Sequence, residues 1–406
     1  MTSSGVGQLN ADGTASSEDV DGAARSSRRA AKVTSPRSWR QHPVVIAVIV
    51  LLVAEGCVRA ASSHLPPPQR WFVPEAQHKA DQLGGWVAHH GRGGVVILGA
   101  SMADDDIDPA VLDADLGPAG PGGPAAPSAY NASLVGTSLE SISLWAASEI
   151  IPRLGPRLVV LGLSPVELNG GIPGEAAGNA AFRGAPAVRQ LLDDETLLQR
   201  ASRYAGDASA LFRERAILRR PAAWIHGRRN GASGTGALTD PPLSTDGMGL
   251  TSSHERFGYF QGRPVPESAR AAQLTGDLFH QFAVSPAKVA LLTQLVDHIR
   301  AGGARVVLVD LPLSSSAVGY LPHHAADVAS TAGALAEVAR STGAPFLQTG
   351  VWPLALFADP VHLNGEGARA LSTDLGPVLR AVMAGSAGAA SGVLPAPAAR
   401  SGAASG

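Results

Sequence analysis

A chain of 406 residues, 45% hydrophobic and 16% charged, has enough apolar material for one large domain or two ordinary ones. A formal net charge of -2 gives no basis for nucleic-acid binding, and the single cysteine, Cys57, excludes an internal disulfide. A domain of this size has core enough to do without one.

Residues 1–42 are rich in Ser, Ala, Gly and charge with no apolar period, and read as a disordered tail. Its later part is basic, with Arg25, Arg28, Arg29, Lys32, Arg37 and Arg40. Val44 to Ala54 then form an uninterrupted apolar run, followed by Glu55, Cys57 and Arg59. Residues 43–60 accordingly read as a signal-anchor helix. The basic tail would be cytoplasmic and the bulk of a single-pass cell-membrane protein extracytoplasmic. A cleaved signal peptide and a buried core helix are the competing readings. Lipidation of Cys57 is disfavoured by Glu55, where a small residue is wanted. Residues 61–93 read as a linker stiffened by Pro66-Pro67-Pro68, with a lead-in helix over 74–87.

Residues 94–384 read as one α/β domain. Val95 to Leu98 is a buried strand stopping at Gly99-Ala100-Ser101. Asp104-Asp105-Asp106 reads as a solvated acidic turn; a wall against anionic substrates, or a hold for a sugar hydroxyl, is the sharper alternative. Asp108-Pro109 fits an N-cap with proline at the first helical position. Residues 117–127 are a Gly/Pro loop and 130–134 a short strand. Thr137-Ser138-Leu139-Glu140 is a capping box with Thr137 as cap. The helix after it buries Leu139, Ile142, Ala146 and Ile150. Leu158 to Leu161 is a strand covered on both faces.

Residues 170–285 read as an insertion or lid. It holds basic amphipathic helices over 188–204 and 208–220, then a Gly/Ser/Thr-rich connection over 227–254. Its arginines read as a solvated face, with contact to anionic lipid or polymer as the alternative. Alternation returns with a helix over 288–301, a strand over 305–309, a helix over 325–341, a strand over 345–347 and a helix over 365–383. Residues 385–406 read as a disordered tail. Strands alternating with helices imply a mostly parallel sheet between helical layers, with ligands beyond the carboxyl ends of strands, where Ser101 falls.

Asp359-Pro360-Val361-His362 places a carboxylate and an imidazole three positions apart before the last helix. A serine hydroxyl needs a base to take its proton, and the base works best when a carboxylate orients it. Ser101, Asp359 and His362 supply those parts. Taken singly, Ser101 also reads as a helix cap, and one histidine among 12 as structural; the joint pattern says more than either part. His89-His90 and His323-His324 have no second ligand pair at zinc-like spacing, so neither metal nor cofactor is expected. Neither a Gly-rich phosphate loop nor a Gly-x-Ser-x-Gly elbow is present.

These motifs together resemble the SGNH (GDSL-like) hydrolase superfamily, in its membrane-anchored extracytoplasmic branch of DltD-like and alginate-acetylation-like proteins. Gly99-Ala100-Ser101-Met102 is similar to the first family block, with Ala100 in place of Asp. Asn131 to Gly136 is similar to the second, and Asp359 to Gly367 to the fifth. The third departs: Gly162-Leu163-Ser164-Pro165 stands where Gly-x-Asn-Asp belongs, leaving Ser164 or Asn169 as the side-chain oxyanion donor. The resemblance implies a flavodoxin-like three-layer α/β/α fold with Ser101 as nucleophile, His362 as base and Asp359 as its orienter. The backbone N–H groups of Ser101 and Gly136 would complete the oxyanion hole. The implied activity is that of a serine esterase or O-acyltransferase on acyl esters, acetyl foremost, of a cell-envelope glycan or lipid-linked polymer. An integral-membrane acyltransferase is the implied partner. The alternative is a non-catalytic envelope binding or assembly protein that reuses the fold beside such an acyltransferase. The acyl group, the acceptor, the choice between hydrolysis and transfer, and the oligomeric state stay open.

Overall fold

The computed structural model describes residues 43–62, 65, 69–116, 128–219, 269–385, 391–394 and 396–397. The chain divides into a unit that ends at Ala54 and a second that runs from Glu55 to Gly406. The described part of the first is the beginning of α1 (Pro43–Ala61), 19 residues with none buried, long and apolar enough to cross a membrane. At 1.5 Å per residue it spans about 28 Å, close to the hydrocarbon thickness of a bilayer. Its exposure overturns the buried-core-helix reading. The helix outlasts the apolar run because Arg59 and Glu55 pair across one turn at 2.7 Å.

The second unit is built on a six-stranded sheet in the order β2-β1-β3-β4-β6-β8, with every pairing parallel. The strands are β1 (Val95–Leu98), β2 (Ala129–Asn131), β3 (Leu158–Leu163), β4 (Arg305–Asp310), β6 (Phe346–Gln348) and β8 (Gly392–Val393). A small second sheet pairs β5 (Leu313–Ser314) with β7 (Val351–Trp352). The first five strands follow the doubly wound, flavodoxin-like order, in agreement with the expected α/β/α class. β8 corrects the reading of the tail, because Gly392–Val393 pair with the edge of β6.

β1 and β3 are wholly buried because helices cover both faces. Val96, Leu98, Val159 and Leu161 join one core with Trp71 and Trp145. Val95, Ile97 and Val160 join another with Phe279, Trp352 and Leu371. The covering helices include α2 (Pro74–His90), α3 (Ser101–Asp106), α4 (Pro109–Leu116) and α5 (Leu139–Trp145). α5 runs through a π-turn at Ala146–Ile150 into α6 (Ile151–Leu154). Ser138, not Thr137, caps α5: its hydroxyl accepts from Ser141 N at 3.2 Å, while Thr137 donates to the Leu134 carbonyl at 2.7 Å. Glu140 pairs with Arg183 and so does not close a capping box.

After α7 (Pro165–Leu168), the described part of the insertion is mainly helical: α8 (Glu175–Arg183), α9 (Pro186–Leu191), α10 (Leu197–Ala208), α11 (Ala210–Arg213), α12 (Arg215–Arg219) and a further helix at Ala269–Phe279. The helix expected over 188–204 is two, broken where Asp193 takes a left-handed conformation (φ 53°) and restarted by a Thr196/Gln199 capping box. The helix expected over 208–220 is interrupted where Ser209 caps α11. Phe182 and Val188 belong to the core, Phe182 with its ring 5.0 Å from Trp71, so this stretch is structural. The connection over 227–254 lies outside the described residues. The long helices Pro286–Ala301, Ala325–Thr342 and Gly365–Met383 fall where their patterns predict.

Candidate active site

β1 lies between β2 and β3, where the strand order reverses, and its carboxyl end opens into a ligand-binding crevice in sheets of this type. The chain turns there from Leu98 into α3 within two residues. A side chain at Gly99 would put its Cβ 2.5 Å from the Gly162 carbonyl oxygen and against Ala103. Small residues on β1, α3 and β3 therefore let α3 begin directly over the sheet. Ser101 is its first residue, and its backbone N–H is one of the first-turn amides that a helix leaves without an internal partner.

Asn131, fully buried at the end of β2, fixes that turn. Its Nδ2 donates to the carbonyls of Ala103 (3.0 Å), Asp104 (3.1 Å) and Ile107 (3.1 Å), and its Oδ1 accepts from Ser133 N at 3.0 Å. Beyond it, Ala132 N donates to the Ile97 carbonyl and Leu134 N to that of Gly99. The segment leading to Gly136 (φ 66°) thus runs along the same end of the sheet as Ser101.

The histidine arrives on a loop held by its own carboxylate. Asp359 Oδ1 accepts from Val361 N (2.8 Å) and His362 N (2.7 Å), and Asn364 caps the closing helix. Asp359 Oδ2 then meets His362 Nδ1 at 2.7 Å, and His362 Nε2 meets Ser101 Oγ at 2.9 Å. The three side chains form one unbroken relay, with those of His362 and Asp359 15% and 21% exposed.

The acidic run is not a solvated turn. It is α3 itself, and its carboxylates have three separate environments. Asp104 is fully buried against the Lys79 ammonium at 2.5 Å, which also lies 3.1 Å from Glu75. Asp106 is buried and accepts from Leu363 N at 2.7 Å, tying α3 to the histidine loop. Asp105 Oδ2 lies 4.0 Å from His362 Nε2. Burial pushes Asp104 and Asp106 well above the usual carboxylate range. It raises Asp105 to about 6 against the pull of His362. Burial alone would lower the imidazole, but the hydrogen bond and charge of Asp359, backed by Asp105 and Asp106, raise His362 to about 9. Asp359 is held below its ordinary value: burial opposes this, and the hydrogen bond and charge of His362 overcome it.

Ser164 and Asn169 are engaged elsewhere. Ser164 caps α7, donating its only O–H to Glu167 at 2.6 Å and accepting from Val166 N at 3.2 Å. Asn169 Nδ2 donates to the Leu278 carbonyl at 2.8 Å, and its Oδ1 accepts from Gly171 N and Ala283 N. Both side chains are buried in these local roles. Ser101, Asp359 and His362 are thus brought together, and Ser164 and Asn169 brace neighbouring turns. Asp105, read from the sequence as part of a solvated turn, is missed there; the signal that could have found it is its spacing, since four residues after Ser101 fall on the same helical face. Lys79, reaching in from α2, has no local signal. Among the described residues, no group of three or more His, Cys, Asp or Glu side chains is arranged to hold a metal ion.

Fold and geometry define an α/β protein with a doubly wound parallel sheet and a Ser-His-Asp relay at its carboxyl edge. No protein-family model and no curated protein matches the chain. A solved structure that it resembles distantly is a carbohydrate acetylesterase family member from Sinorhizobium meliloti, at 13% identity and a TM-score of 0.30, over 72% of this chain and 99% of that one.

Proposed function

We propose that the chain is a membrane-anchored serine esterase or O-acyltransferase of the SGNH type, acting outside the cytoplasm on acetyl or similar acyl esters of envelope glycans. The observation that carries this reading is the 2.9 Å approach of His362 Nε2 to Ser101 Oγ, with Asp359 on the other ring nitrogen. In the reaction, the Ser101 oxygen attacks the ester carbonyl while its proton passes to His362 Nε2. Asp359 holds the Nδ1–H and stabilises the imidazolium. The tetrahedral oxyanion is received by the backbone N–H groups of Ser101 and Gly136. His362 returns the proton to the departing sugar oxygen, and the acyl group stays on Ser101. Water or a second sugar hydroxyl then attacks the acyl-serine, with His362 again the base, releasing free acid or a newly acylated glycan. For transfer, an integral-membrane acyltransferase is the natural source of the acyl group.

A fluorophosphonate probe applied to the full chain tests the reading. Wild type should become covalently labelled, and Ser101→Ala should abolish labelling and the release of acetate from acetylated glycans. Labelling that persists in Ser101→Ala would remove Ser101 as the nucleophile. An unlabelled wild type would turn the assignment toward the binding-protein alternative.

A further inference from the structure

We infer that Glu75 and Lys79 of α2 are positioning residues for the oxyanion hole, acting through the backbone that carries its two donors. The inference rests on the reading of the Ser101 and Gly136 N–H groups as those donors. They lie on separate segments: Ser101 opens α3, and Gly136 falls between β2 and α5. The sheet holds that second segment as far as Leu134, whose N–H donates to the Gly99 carbonyl, and Ser138 starts the hold of α5 beyond it. Val135 and Gly136 between them are exposed. What holds Val135 is a buried side chain of α2: its N–H donates to Glu75 Oε2 at 2.8 Å. The Gly136 N–H belongs to the next peptide plane, so only the two soft dihedrals of Val135 separate it from that bond.

Lys79, one turn along α2, ties the other donor to the same frame. Its buried ammonium donates to the Ser133 carbonyl and to Asp104 Oδ1, both at 2.5 Å, and lies 3.1 Å from Glu75 Oε1. Asp104 stands in the first turn of α3, where its own N–H donates to the Ala100 carbonyl at 3.0 Å. One cation therefore fixes α3 against the stretch that leads to Gly136. Its charge has a second use. A bare carboxylate beside the hole would repel an oxyanion, and the ammonium next to Glu75 offsets that field. α2 is a firm base for these contacts. Gln77 Oε1 accepts from Arg70 N (2.7 Å) and Trp71 N (2.9 Å), and the Trp71 ring packs 4.9 Å from that of Trp145 in the core. Packing alone would be met better by apolar residues, because buried ionic groups are costly to desolvate. α2 thus serves the site and is more than a lead-in to the first strand.

The test measures turnover of p-nitrophenyl acetate by the full chain, and its inhibition by an alkyl trifluoromethyl ketone, whose adduct with serine carries the oxyanion. Glu75→Leu removes the acceptor of Val135 N, and Glu75→Gln keeps an oxygen there. We expect kcat of Glu75→Leu to fall about 10²-fold with KM unchanged, the cost of a displaced donor. The ketone's inhibition constant should rise by a similar factor, and Glu75→Gln should recover most of both. Wild-type kcat in folded Glu75→Leu overturns the proposal and leaves the esterase reading standing. So does a loss of kcat without weaker ketone binding, which would place the damage in the His362 relay. Glu75→Gln as slow as Glu75→Leu rejects the hydrogen bond as the cause, and the proposal with it. Should Glu75→Leu not fold, Glu75→Asp decides in its place: it keeps a charge for Lys79 but withdraws from Val135 N, and undiminished turnover rejects the proposal. A wild type that neither turns over the ester nor takes a fluorophosphonate label overturns the esterase reading itself, and the proposal falls with it.

Discussion

The Asp105 carboxylate lies 4.0 Å from His362 Nε2, the same ring nitrogen that faces the Ser101 hydroxyl. The imidazole is thus approached by Asp359 at one nitrogen and by Asp105 at the other, with buried Asp106 behind. Such a setting favours imidazolium in the resting state, and an imidazolium cannot accept the serine proton.

The pH profile should report this. With His362 raised to about 9, kcat/KM for an acetyl ester should climb as pH rises toward that value. Asp105→Asn removes a charge that favours imidazolium, so the inflection should fall toward the ordinary 6.5, with roughly tenfold more activity at neutral pH for each unit of displacement. A wild-type inflection already near 6.5 would contradict the account. Stability follows the same linkage. The contribution of His362 is complete below 6.5 and lost as pH rises through about 9, so Tm should decline over that interval, and less so in His362→Gln.

Asp359→Asn keeps the shape of the carboxylate and removes its charge and its hold on the tautomer. We expect kcat to fall about 10⁴-fold with KM little changed, measured by steady-state kinetics on a soluble ester. A comparable rise in KM would mean that the histidine loop had collapsed.

Lys79 is fully buried and bridges Asp104 and Glu75. Lys79→Met leaves those carboxylates without their cation and should destabilise the domain by about 3–5 kcal/mol, seen in denaturant unfolding. Adding Asp104→Asn should recover part of the loss; failure to recover any would show that the ammonium acts chiefly through the Ser133 carbonyl, its third partner.

Gly99→Ala would drive a methyl group to 2.5 Å from the Gly162 oxygen, backbone that cannot swing aside. Overpacking of this kind costs about 1–3 kcal/mol or more, and the displaced α3 would carry Ser101 away from His362. Tm and fluorophosphonate labelling should fall together; a drop in Tm with labelling intact would show that α3 tolerates the shift.

The ends of the relay are legible in the sequence because each is local: a buried strand stopping at Gly-Ala-Ser, and an aspartate three residues before a histidine at a helix start. The long helices and the parallel sheet are legible because their periods are long and clean. Asp104 to Asp106 mislead because what compensates them is remote. Lys79 reaches in from 25 residues away and Leu363 N from 257. Thr137 and Ser138 differ as caps by a single residue, a choice decided by the Leu134 carbonyl within reach of Thr137. The break at Asp193 is a left-handed residue that no apolar period reveals. Ser164 looked available as an oxyanion donor because Glu167, which takes its proton, reads locally as an ordinary helix residue.

The short strand Gly392–Val393 gives the tail a protective meaning. An uncovered parallel strand offers a row of unpaired amides and carbonyls to any passing chain, the route by which sheets of separate molecules fuse. By occupying the flank of β6, with Leu394 N bonded to the Gln348 carbonyl at 2.8 Å, these residues leave a two-residue strand as the outer edge of the sheet, too short to template a neighbour.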